Sequence, residues 1–233
     1  MICFTMDIDW APDEVVASAL ELFEQAGVKC TIFATHKSGL LQRVPSRLFE
    51  VGIHPNFNDL LKGNSQQTSA HIIQELLDIY PDANGIRSHS LTYNSYLLIE
   101  FEKLGLRYDA NLFLPYQKLV SPFKLWNGLF RVSFNWEDDI HSMYGFSFVT
   151  SNLDLTQDCI FNFHPVHIYL NTETMARYQN AKQYYHDPKK LKTMANTTVA
   201  GTRNLLLDLL GKVKAVNIPN YTLFELVQRV EKN

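Results

Sequence analysis

The side chains of this sequence that are best suited to chemistry come directly after short apolar runs. They are Asp7 and Asp9, His54, Arg87 and His89, and His164. Carboxylates and imidazoles bind metal ions and transfer protons, and a guanidinium orients carboxylates. Apolar runs of this kind predict buried strands. Because the carboxyl ends of parallel strands meet at one edge of a sheet or barrel, these side chains are candidates for a single site.

Asp7 and Asp9 stand two positions apart in the stretch CFTMDIDW. Alternate residues of a strand share a face, so a strand that continues through Asp9 would point both carboxylates the same way. Two like charges so close need a cation, a shared proton or water between them. Catalytic zinc takes three protein ligands and a water, so His54 at another strand end favours a metal site over a histidine that only caps its strand.

Arg87 and His89 repeat the two-residue spacing in GIRSHS, and the same rule places them on one face. Arginine forms strong charge-assisted hydrogen bonds with carboxylates, so Arg87 is a candidate partner for one of the aspartates. The alternative is a structural arginine–aspartate pair with His89 as a bystander. In NFHPVHIYL, His164 ends an apolar alternation, whereas His167 falls on the opposite face if the strand continues. His164 is therefore the candidate site residue.

The stretch FNWEDD places Trp136, Glu137, Asp138 and Asp139 after another apolar run. A run of charges after a strand usually forms a solvated loop, and the position predicts one here. In a functional alternative, Trp136 stacks on a sugar ring and one of the carboxylates binds hydroxyl groups. A glycosidase is a further alternative, with Asp7 and either Glu137 or Asp138 as its two carboxylates.

Short apolar runs alternate with longer amphipathic stretches along most of the chain, which predicts strands that alternate with helices. Seven strands are predicted, in ICFTMDID, VKCTIFATH, VGIHP, GIRSH, LRYDANLF, LFRVSFNWEDD and CIFNFHPVHIYL. Helices are predicted between them, including a short one in SRLFE, and the region from about residue 171 is predicted to be mostly helical. This alternation implies a parallel α/β fold, and seven strands favour a barrel over an open sheet.

The composition limits the class of protein. A chain of 233 residues fits one α/β barrel, and we predict a single domain over residues 1–233. A net charge of −3 lacks the basic footprint of a nucleic-acid-binding protein. The three widely separated cysteines predict free buried thiols in a reducing compartment. Since no signal peptide or long apolar span is visible, we expect a cytoplasmic protein without a transmembrane segment, and the oligomeric state stays open.

Taken in this order, the motifs resemble those of the polysaccharide deacetylases, a family of carbohydrate esterases with a distorted, TIM-like (β/α)7 barrel. FTMDID resembles the opening motif of the family, and EVGIHPNFN resembles its E-x-G-x-H motif. GIRSHS stands at the arginine motif, FNFHP at the last histidine motif, and GLRYDANLF resembles a Y-D-S-S stretch near the substrate. The likeness covers about the first 170 residues. The particular residues within these motifs resemble those of a divergent branch of the family, which is associated with the biosynthesis of surface polysaccharides such as O-antigen.

The resemblance implies three groups of site residues, which are the catalytic Asp7, Arg87 and His164, the metal ligands Asp9 and His54, and the substrate-binding Asp109 and Asn111. Trp136 is the further candidate for substrate binding, because its ring could stack on a sugar. Asp7 would be the general base, held in place by Arg87, and His164 would be the general acid. The cofactor would be a divalent metal ion, with zinc as the expected element. The implied reaction is metal-dependent hydrolysis of a C–N amide bond, above all N-deacetylation of an amino sugar or a polysaccharide precursor.

Two departures from the family pattern concern the metal site. The family has a second histidine four positions after the first, and here Asn58 stands at that position. The arginine motif carries His89 where many members have a proline. The third metal ligand is therefore either His89, which the spacing places on the face of Arg87, or Asn58. A sugar-binding barrel that has lost catalysis is the alternative that this departure leaves open.

Overall fold

One sheet of nine strands runs through the computed structural model, which describes residues 1–232. The strands are β1 (Ile2–Asp7), β2 (Cys30–Ala34), β3 (Phe49–Ile53), β4 (Gly85–Ile86), β5 (Tyr108–Phe113), β6 (Phe123–Lys124), β7 (Phe130–Phe134), β8 (Trp136–Glu137) and β9 (Cys159–Phe163). Their order in the sheet is β6-β7-β5-β4-β3-β2-β1-β9-β8. The strands pair in parallel, apart from the antiparallel pair of β6 and β7.

The segment that contains β7 and β8 closes the sheet into a barrel. β7 pairs with β5, and after one intervening residue β8 pairs with β9 at the other end of the sheet. That residue, Asn135, donates its backbone N–H to the carbonyl of Ile160 in β9 at 3.2 Å. The barrel is therefore formed by β1, β2, β3, β4, β5, the β7–β8 segment and β9. They correspond to the seven predicted strands, and the predicted (β/α)7 barrel is confirmed.

Helices connect the strands and cover the outside of the barrel. They are α1 (Asp13–Ala26), α2 (Asn58–Leu61), α3 (Ser69–Ile79), α4 (Ser95–Lys103), α5 (Asp138–Met143), α6 (Pro165–Leu170), α7 (Met175–Ala181), α8 (Pro188–Thr193), α9 (Thr202–Ala215) and α10 (Leu223–Glu231). After β9 the described chain is mostly helical, while the single domain over residues 1–233 stays a prediction. None of the helices within residues 1–232 has the length and apolar character needed to span a membrane.

Helix α1 illustrates how the sequence sets the limits of a helix. Pro12 precedes it, and Asp13 and Glu14 fall in its first turn, where the helix dipole favours negative charge. Gly27 ends it in the left-handed conformation, with a φ of 68°. Its buried positions are Val15, Val16, Ala19, Leu20, Leu22 and Phe23. Burial of this face fixes the position of α1, and the loop that joins β1 to α1 carries Asp9.

Alternation along β1 separates two layers of side chains. Phe4 and Met6 belong to the larger apolar core between barrel and helices, whereas Cys3 belongs to a second core inside the barrel. Thr5 and Asp7 share the face of Cys3 and therefore point into the barrel. The inner face of β1 thus changes from apolar at its amino end to polar at its carboxyl end.

Helix α10 covers the amino end of the barrel. Three of its apolar side chains enter the inner core, namely Leu223, Leu226 and Val227. The carboxylate of Glu50 in β3 accepts hydrogen bonds from the Tyr108 hydroxyl at 2.6 Å and from the backbone N–H of Phe224 at 3.0 Å. Burial raises the pKa of Glu50 above its ordinary value. These bonds replace the water that the carboxyl group loses inside the barrel.

Three local predictions are wrong at their boundaries. SRLFE forms a turn rather than a helix, because its last two residues pair with β2 as the start of β3. β1 ends at Asp7, and Asp9 lies beyond it with a φ of 41°. β9 ends at Phe163, and Pro165 begins α6, since proline suits the first turn of a helix and cannot donate to a strand ladder.

Gly85 in β4 occupies a position where the packing leaves no room for a side chain. A β-carbon at this position would lie 2.0 Å from Cζ of Tyr108. We expect Gly85→Ala to displace Tyr108 from Glu50 and to lower the free energy of unfolding by about 1–3 kcal/mol, measured by urea denaturation. Gly211→Ala in α9 is the matched control, since its β-carbon would meet no atom within 4 Å. The control should gain up to about 1 kcal/mol, and equal effects would contradict this account of the packing.

Candidate active site

Polar side chains from several strands converge at the carboxyl end of the barrel, around a cavity of about 280 Å³. The ionisable side chains that line it include Asp7, Asp9, His54, His89, Glu137 and His164. Five of these were predicted as catalytic or metal-binding residues. Arg87, the sixth predicted residue, lies buried directly behind Asp7. The structure therefore brings the predicted catalytic and metal-binding side chains together.

Asp7 ends β1 as a buried carboxylate held on two sides. Its Oδ1 accepts a hydrogen bond from Nη1 of Arg87 at 3.0 Å, and its Oδ2 accepts one from Nδ2 of Asn162 at 2.9 Å. Nδ1 of His54 lies 3.8 Å from Oδ1. The guanidinium neutralises the carboxylate, and the two hydrogen bonds fix its orientation at the floor of the cavity.

Arg87 is fully buried and satisfies several acceptors at once. Its Nη1 also donates to Oγ1 of Thr5 at 2.9 Å and to Oδ1 of Asn162 at 2.6 Å. The guanidinium carbon lies 4.6 Å from the ring centroid of Phe33 and 4.2 Å from that of Phe134. Aromatic faces on a cation supply part of the stabilisation that water would otherwise give.

Asp9, His54 and His89 form a separate group at the mouth of the barrel. Oδ1 of Asp9 lies 3.2 Å from Nε2 of His54 and 3.3 Å from Nδ1 of His89. One ligand atom of each residue lies within 4.8 Å of the others. Burial alone would raise the pKa of Asp9, but the two imidazoles outweigh it and hold the pKa well below its ordinary value. The carboxylate is therefore ionised and faces two imidazole nitrogens.

The donor atoms of this group fit a divalent metal ion. One carboxylate oxygen and two imidazole nitrogens are ligands that catalytic zinc uses, and they leave a position for water or substrate. Oδ1 of Asp9 is buried, and within residues 1–232 it has no hydrogen-bond partner. Buried polar atoms normally have one. An ion between the three side chains would satisfy this oxygen.

Asn58, the other candidate for a third ligand, lies outside this group. It begins α2, and its Nδ2 donates to Oγ of Ser90 at 3.3 Å. Its side chain therefore contacts the loop after His89 rather than Asp9 or His54.

Left-handed backbone, rather than strand alternation, aims Asp9 and His89 at each other. Asp9 and Trp10 have φ angles of 41° and 59°, and Ser90 and Leu91, which follow His89, have φ angles of 58° and 52°. β1 and β4 both end before their second site residue. The prediction that each pair shares a face of one strand is therefore wrong, although the residues do meet.

His164 follows β9 and is held by Asp138, a carboxylate of the charge run that was predicted to form a solvated loop. Its Nδ1 lies 2.7 Å from Oδ1 of Asp138, and its backbone N–H donates to Oδ2 of the same carboxylate at 2.8 Å. Nε2 lies 3.7 Å from Oδ2 of Asp9, on the side of the cavity. Burial would lower the pKa of His164, but the charge of Asp138 raises it well above its ordinary value. The carboxylate of Asp138 therefore favours the protonated form of His164.

The charge run after β7 was expected to form a solvated loop, and this prediction is wrong. Asp138 is 1% exposed and Glu137 lines the cavity. Oε1 of Glu137 accepts a hydrogen bond from Nδ2 of Asn162 at 2.9 Å. Burial, together with the charge of Asp139, raises the pKa of Glu137 to about 8. The local pattern hid Asp138 because its partner His164 lies far away in the sequence, and only the position of the run at a strand end pointed to the site.

His167 lies in α6 rather than on a strand. Its Nδ1 lies 3.0 Å from Oγ1 of Thr172, and its ring centroid is 5.8 Å from that of His164. The prediction that the two histidines face opposite sides of a strand is therefore wrong.

The predicted substrate-binding residues are buried by neighbouring side chains. Asp109 forms an ion pair with Arg131 at 3.1 Å, and Asn111 is 2% exposed. Trp136 is also 2% exposed, and its Nε1 donates to Nδ1 of His141 at 3.0 Å. A stacking platform needs a free ring face, so the geometry gives Trp136 a packing function. Contact of these three residues with substrate stays a prediction.

The fold is that of the barrels found in carbohydrate esterases. A family 4 carbohydrate esterase from Bacillus anthracis has 10% identity and a TM-score of 0.53, over 97% of this chain and 82% of that chain. The Xyl-CE4 domain of a xylanase from the hindgut metagenome of Trinervitermes trinervoides has 14% identity and a TM-score of 0.56, over 99% and 90%. At these identities the likeness shows the fold alone.

A more similar chain and a family model identify the family. Residues 4–182 match the model of the WbmS-like polysaccharide deacetylases. A Bordetella bronchiseptica protein described as a polysaccharide deacetylase involved in O-antigen biosynthesis has 38% identity and a TM-score of 0.84, over 91% of this chain and 90% of that chain. No curated protein sequence matches the chain. The chain belongs to the WbmS-like polysaccharide deacetylases, hydrolases that act on amide C–N bonds, and the predicted family is confirmed.

Removal of Arg87 tests how far the buried ion pair supports the fold. We expect Arg87→Met to lower the free energy of unfolding by about 3–5 kcal/mol, since the buried carboxylate of Asp7 would lose the cation that it is paired with. Arg107→Met is the control, because the pair of Arg107 with Glu231 is exposed and should contribute about 0–1 kcal/mol. Denaturant unfolding followed by circular dichroism measures both, and equal midpoints would contradict the assigned importance of Arg87.

Proposed function

We propose that this protein is a metal-dependent deacetylase that removes the N-acetyl group of an amino sugar during the biosynthesis of a surface polysaccharide. The observation that carries the proposal is the convergence of three groups on one cavity. The Asp7–Arg87 pair, the Asp9–His54–His89 group and His164 all reach it. They would provide a base, a metal site and an acid around one bond.

The setting of the reaction is proposed from the relative. The Bordetella bronchiseptica protein is described as a deacetylase involved in O-antigen biosynthesis, and we extend this setting to the present chain. The substrate would be an amino-sugar precursor or polysaccharide of that pathway. The cytoplasmic location stays a prediction, which the three free buried cysteines favour.

Asp9, His54 and His89 would hold the metal ion, and zinc is the element we propose because carboxylate and imidazole ligands suit it. The unpartnered Oδ1 of Asp9 supports this assignment. When bound, a divalent ion supplies Lewis acidity, which polarises an amide carbonyl and makes water more acidic.

Asp7 is assigned as the general base. In hydrolysis, the oxygen of water bonds to the carbonyl carbon of the acetamido group, and the water loses a proton. Oδ1 of Asp7 is held by Arg87 and Oδ2 by Asn162, so the carboxylate takes this proton without reorienting. Proximity and fixed orientation lower the entropic part of the barrier.

His164 is assigned as the general acid. The C–N bond breaks to give acetate and an amine, and the nitrogen must be protonated as it leaves. The Asp138 carboxylate holds Nδ1 of His164 at 2.7 Å, which leaves Nε2 to deliver the proton. A pKa raised by Asp138 keeps that proton on the imidazole until the nitrogen becomes basic.

The glycosidase alternative finds less support in this geometry. Its two carboxyl groups stand about 5–5.5 Å apart in retaining enzymes and about 6.5–9.5 Å apart in inverting enzymes. Ligand atoms of Asp7 and Glu137 lie within 4.8 Å of each other, and Nδ2 of Asn162 binds both carboxylates. Asp138 is occupied by His164. Neither Glu137 nor Asp138 is therefore placed to act with Asp7 across a sugar.

The choice between His89 and Asn58 as third ligand has a direct test. We expect His89→Ala to lose bound metal on dialysis, because an imidazole beside Asp9 and His54 is removed. Asn58→Ala should retain the wild-type amount, since this amide contacts Ser90 instead. Metal content measured by elemental analysis decides the question. Retention by the His89 variant with loss by the Asn58 variant would reverse the assignment.

The activity itself is tested by acetate release from N-acetylated amino sugars and their activated derivatives. Wild-type protein with added zinc should release acetate, and a chelator should stop the release. Asp7→Asn should reduce kcat by about 10²–10⁴-fold, the contribution expected of a positioned base, with an unchanged metal content. Absence of acetate release from every amino sugar by metal-loaded wild type would reject the deacetylase and favour the sugar-binding barrel.

A further inference from the structure

A second cavity of about 490 Å³ opens on the other side of the metal-binding group. Asp9 and His89 line both cavities, so the two share a wall. The remaining lining residues are Trp10, Tyr178, Lys182, Tyr185 and His186. Four of these come from α7 and the segment after it. The catalytic assignment gives this cavity no function.

Trp10 is held in this wall by a strained backbone. Its φ of 59° lies in the left-handed region, where a bulky aromatic residue is an outlier. The backbone N–H of Trp10 donates to Oγ1 of Thr35 at 3.0 Å, and the carbonyl of Asp9 accepts the Tyr185 hydroxyl at 2.6 Å. These bonds maintain the strained turn. Strain that the surroundings enforce in this way is typical of functional positions.

The strained turn presents the indole to solvent beside the metal-binding group. Trp10 is 37% exposed, and its ring centroid lies 5.0 Å from that of His89 in an edge-to-face arrangement. A packing function would bury this ring in a core, as it buries Trp136, which is 2% exposed. The half-exposed indole and the nearby ring of Tyr178 instead offer apolar faces at the cavity. Such faces suit the apolar C–H side of a pyranose ring.

The same cavity carries unpaired positive charge. The ammonium of Lys182 lies 5.9 Å from the ring centroid of Tyr178 and is exposed. Within residues 1–232 no carboxylate forms an ion pair with Lys182 or with His186. Asp9 is the single carboxylate among the lining residues, and its charge faces the imidazoles. An aromatic wall beside a free ammonium is suited to a sugar that carries an anion.

We propose that this cavity is a subsite for an anionic amino-sugar substrate, in which Trp10 stacks on the sugar ring and Lys182 pairs with the anion. The proposal rests on the deacetylase function and specifies its substrate class. The shared wall of Asp9 and His89 lets one sugar place its acetamido group in the first cavity and its anion in the second. The anion is either a phosphate, as in glycosyl phosphates, or the carboxylate of a uronic acid.

Three ligands test the charge requirement by calorimetric titration of the metal-loaded protein. They are N-acetylglucosamine 1-phosphate, the methyl glycoside of 2-acetamido-2-deoxyglucuronic acid, and the neutral methyl glycoside of N-acetylglucosamine. A charge-assisted hydrogen bond contributes about 1.5–3 kcal/mol, so we expect one anionic sugar to bind about 10-fold to 100-fold more tightly than the neutral one. Preference for the phosphate or for the uronate identifies the source of the anion.

Lys182→Gln should reduce this preference to less than about threefold, since the amide keeps a polar end group but carries no charge. Lys189→Gln, another exposed lysine of the same region, is the matched control and should keep the full preference. Equal affinity of wild type for all three sugars would overturn the proposal. A preference that survives in the Lys182 variant would overturn it as well.

Trp10→Gly tests the stacking wall, because glycine accepts the left-handed conformation and removes the indole. We expect weaker binding of all three sugars by about tenfold, with a melting temperature and metal content no lower than in wild type. Trp10→Tyr should restore part of the affinity, and Trp126→Phe, at a site that is 69% exposed, should change nothing. Unchanged affinity of the glycine variant would reject the stacking function. It would also be rejected if the glycine variant lost metal and stability together with affinity and the tyrosine variant did not restore them.

These binding measurements separate the two proposals. Tight, Lys182-dependent binding without acetate release would leave the subsite intact and reject the deacetylase function. Acetate release with no preference for an anionic sugar would reject the subsite and retain the deacetylase.

Discussion

The guanidinium of Arg87 lies inside the barrel with no exposed surface, and polar groups from the surrounding strands balance its charge. Removing an ion from water costs several kcal/mol unless charge and hydrogen bonds replace the solvent. Here the replacement comes from Thr5 and Asp7 in β1, the carbonyl of Ala110 in β5 and Asn162 in β9. Strands from both halves of the barrel are tied to one cation. The carboxyl end is therefore polar, while the amino end, beneath α10, is filled with apolar side chains.

This arrangement gives the two neighbouring aspartates different chemistry. Asp7 points into the barrel, where arginine and asparagine occupy both of its oxygens. Asp9 turns outward, and its Oδ1 faces two imidazoles without a hydrogen-bond partner in the described chain. The negative charge of Asp7 is balanced by Arg87. Oδ1 of Asp9 instead keeps a lone pair that could bind a metal ion. The apparent repulsion between like charges two residues apart is resolved because each charge has its own set of partners.

Local patterns in the sequence predicted the barrel well because they report local physics. Apolar runs of strand length, amphipathic helices and end signals such as Gly27 are set by neighbouring residues. The same patterns failed where a strand stops, since left-handed residues such as Asp9 carry no strong sequence signal outside glycine. They failed again at Asp138, because a carboxylate that binds a distant histidine looks the same in sequence as one in a solvated loop.

The sequence by itself determined the element order, the family and the identity of the catalytic and metal-binding candidates, since each of these depends on residue type and spacing along the chain. Tertiary structure decided which candidates touch. Left-handed turns place His89 beside Asp9, and the fold places Asp138 beside His164. Trp136 is buried in the core, whereas Trp10 is partly exposed. The physical reason is that a site depends on contacts between chain segments far apart in sequence. Those contacts exist only once burial of the apolar faces has closed the barrel.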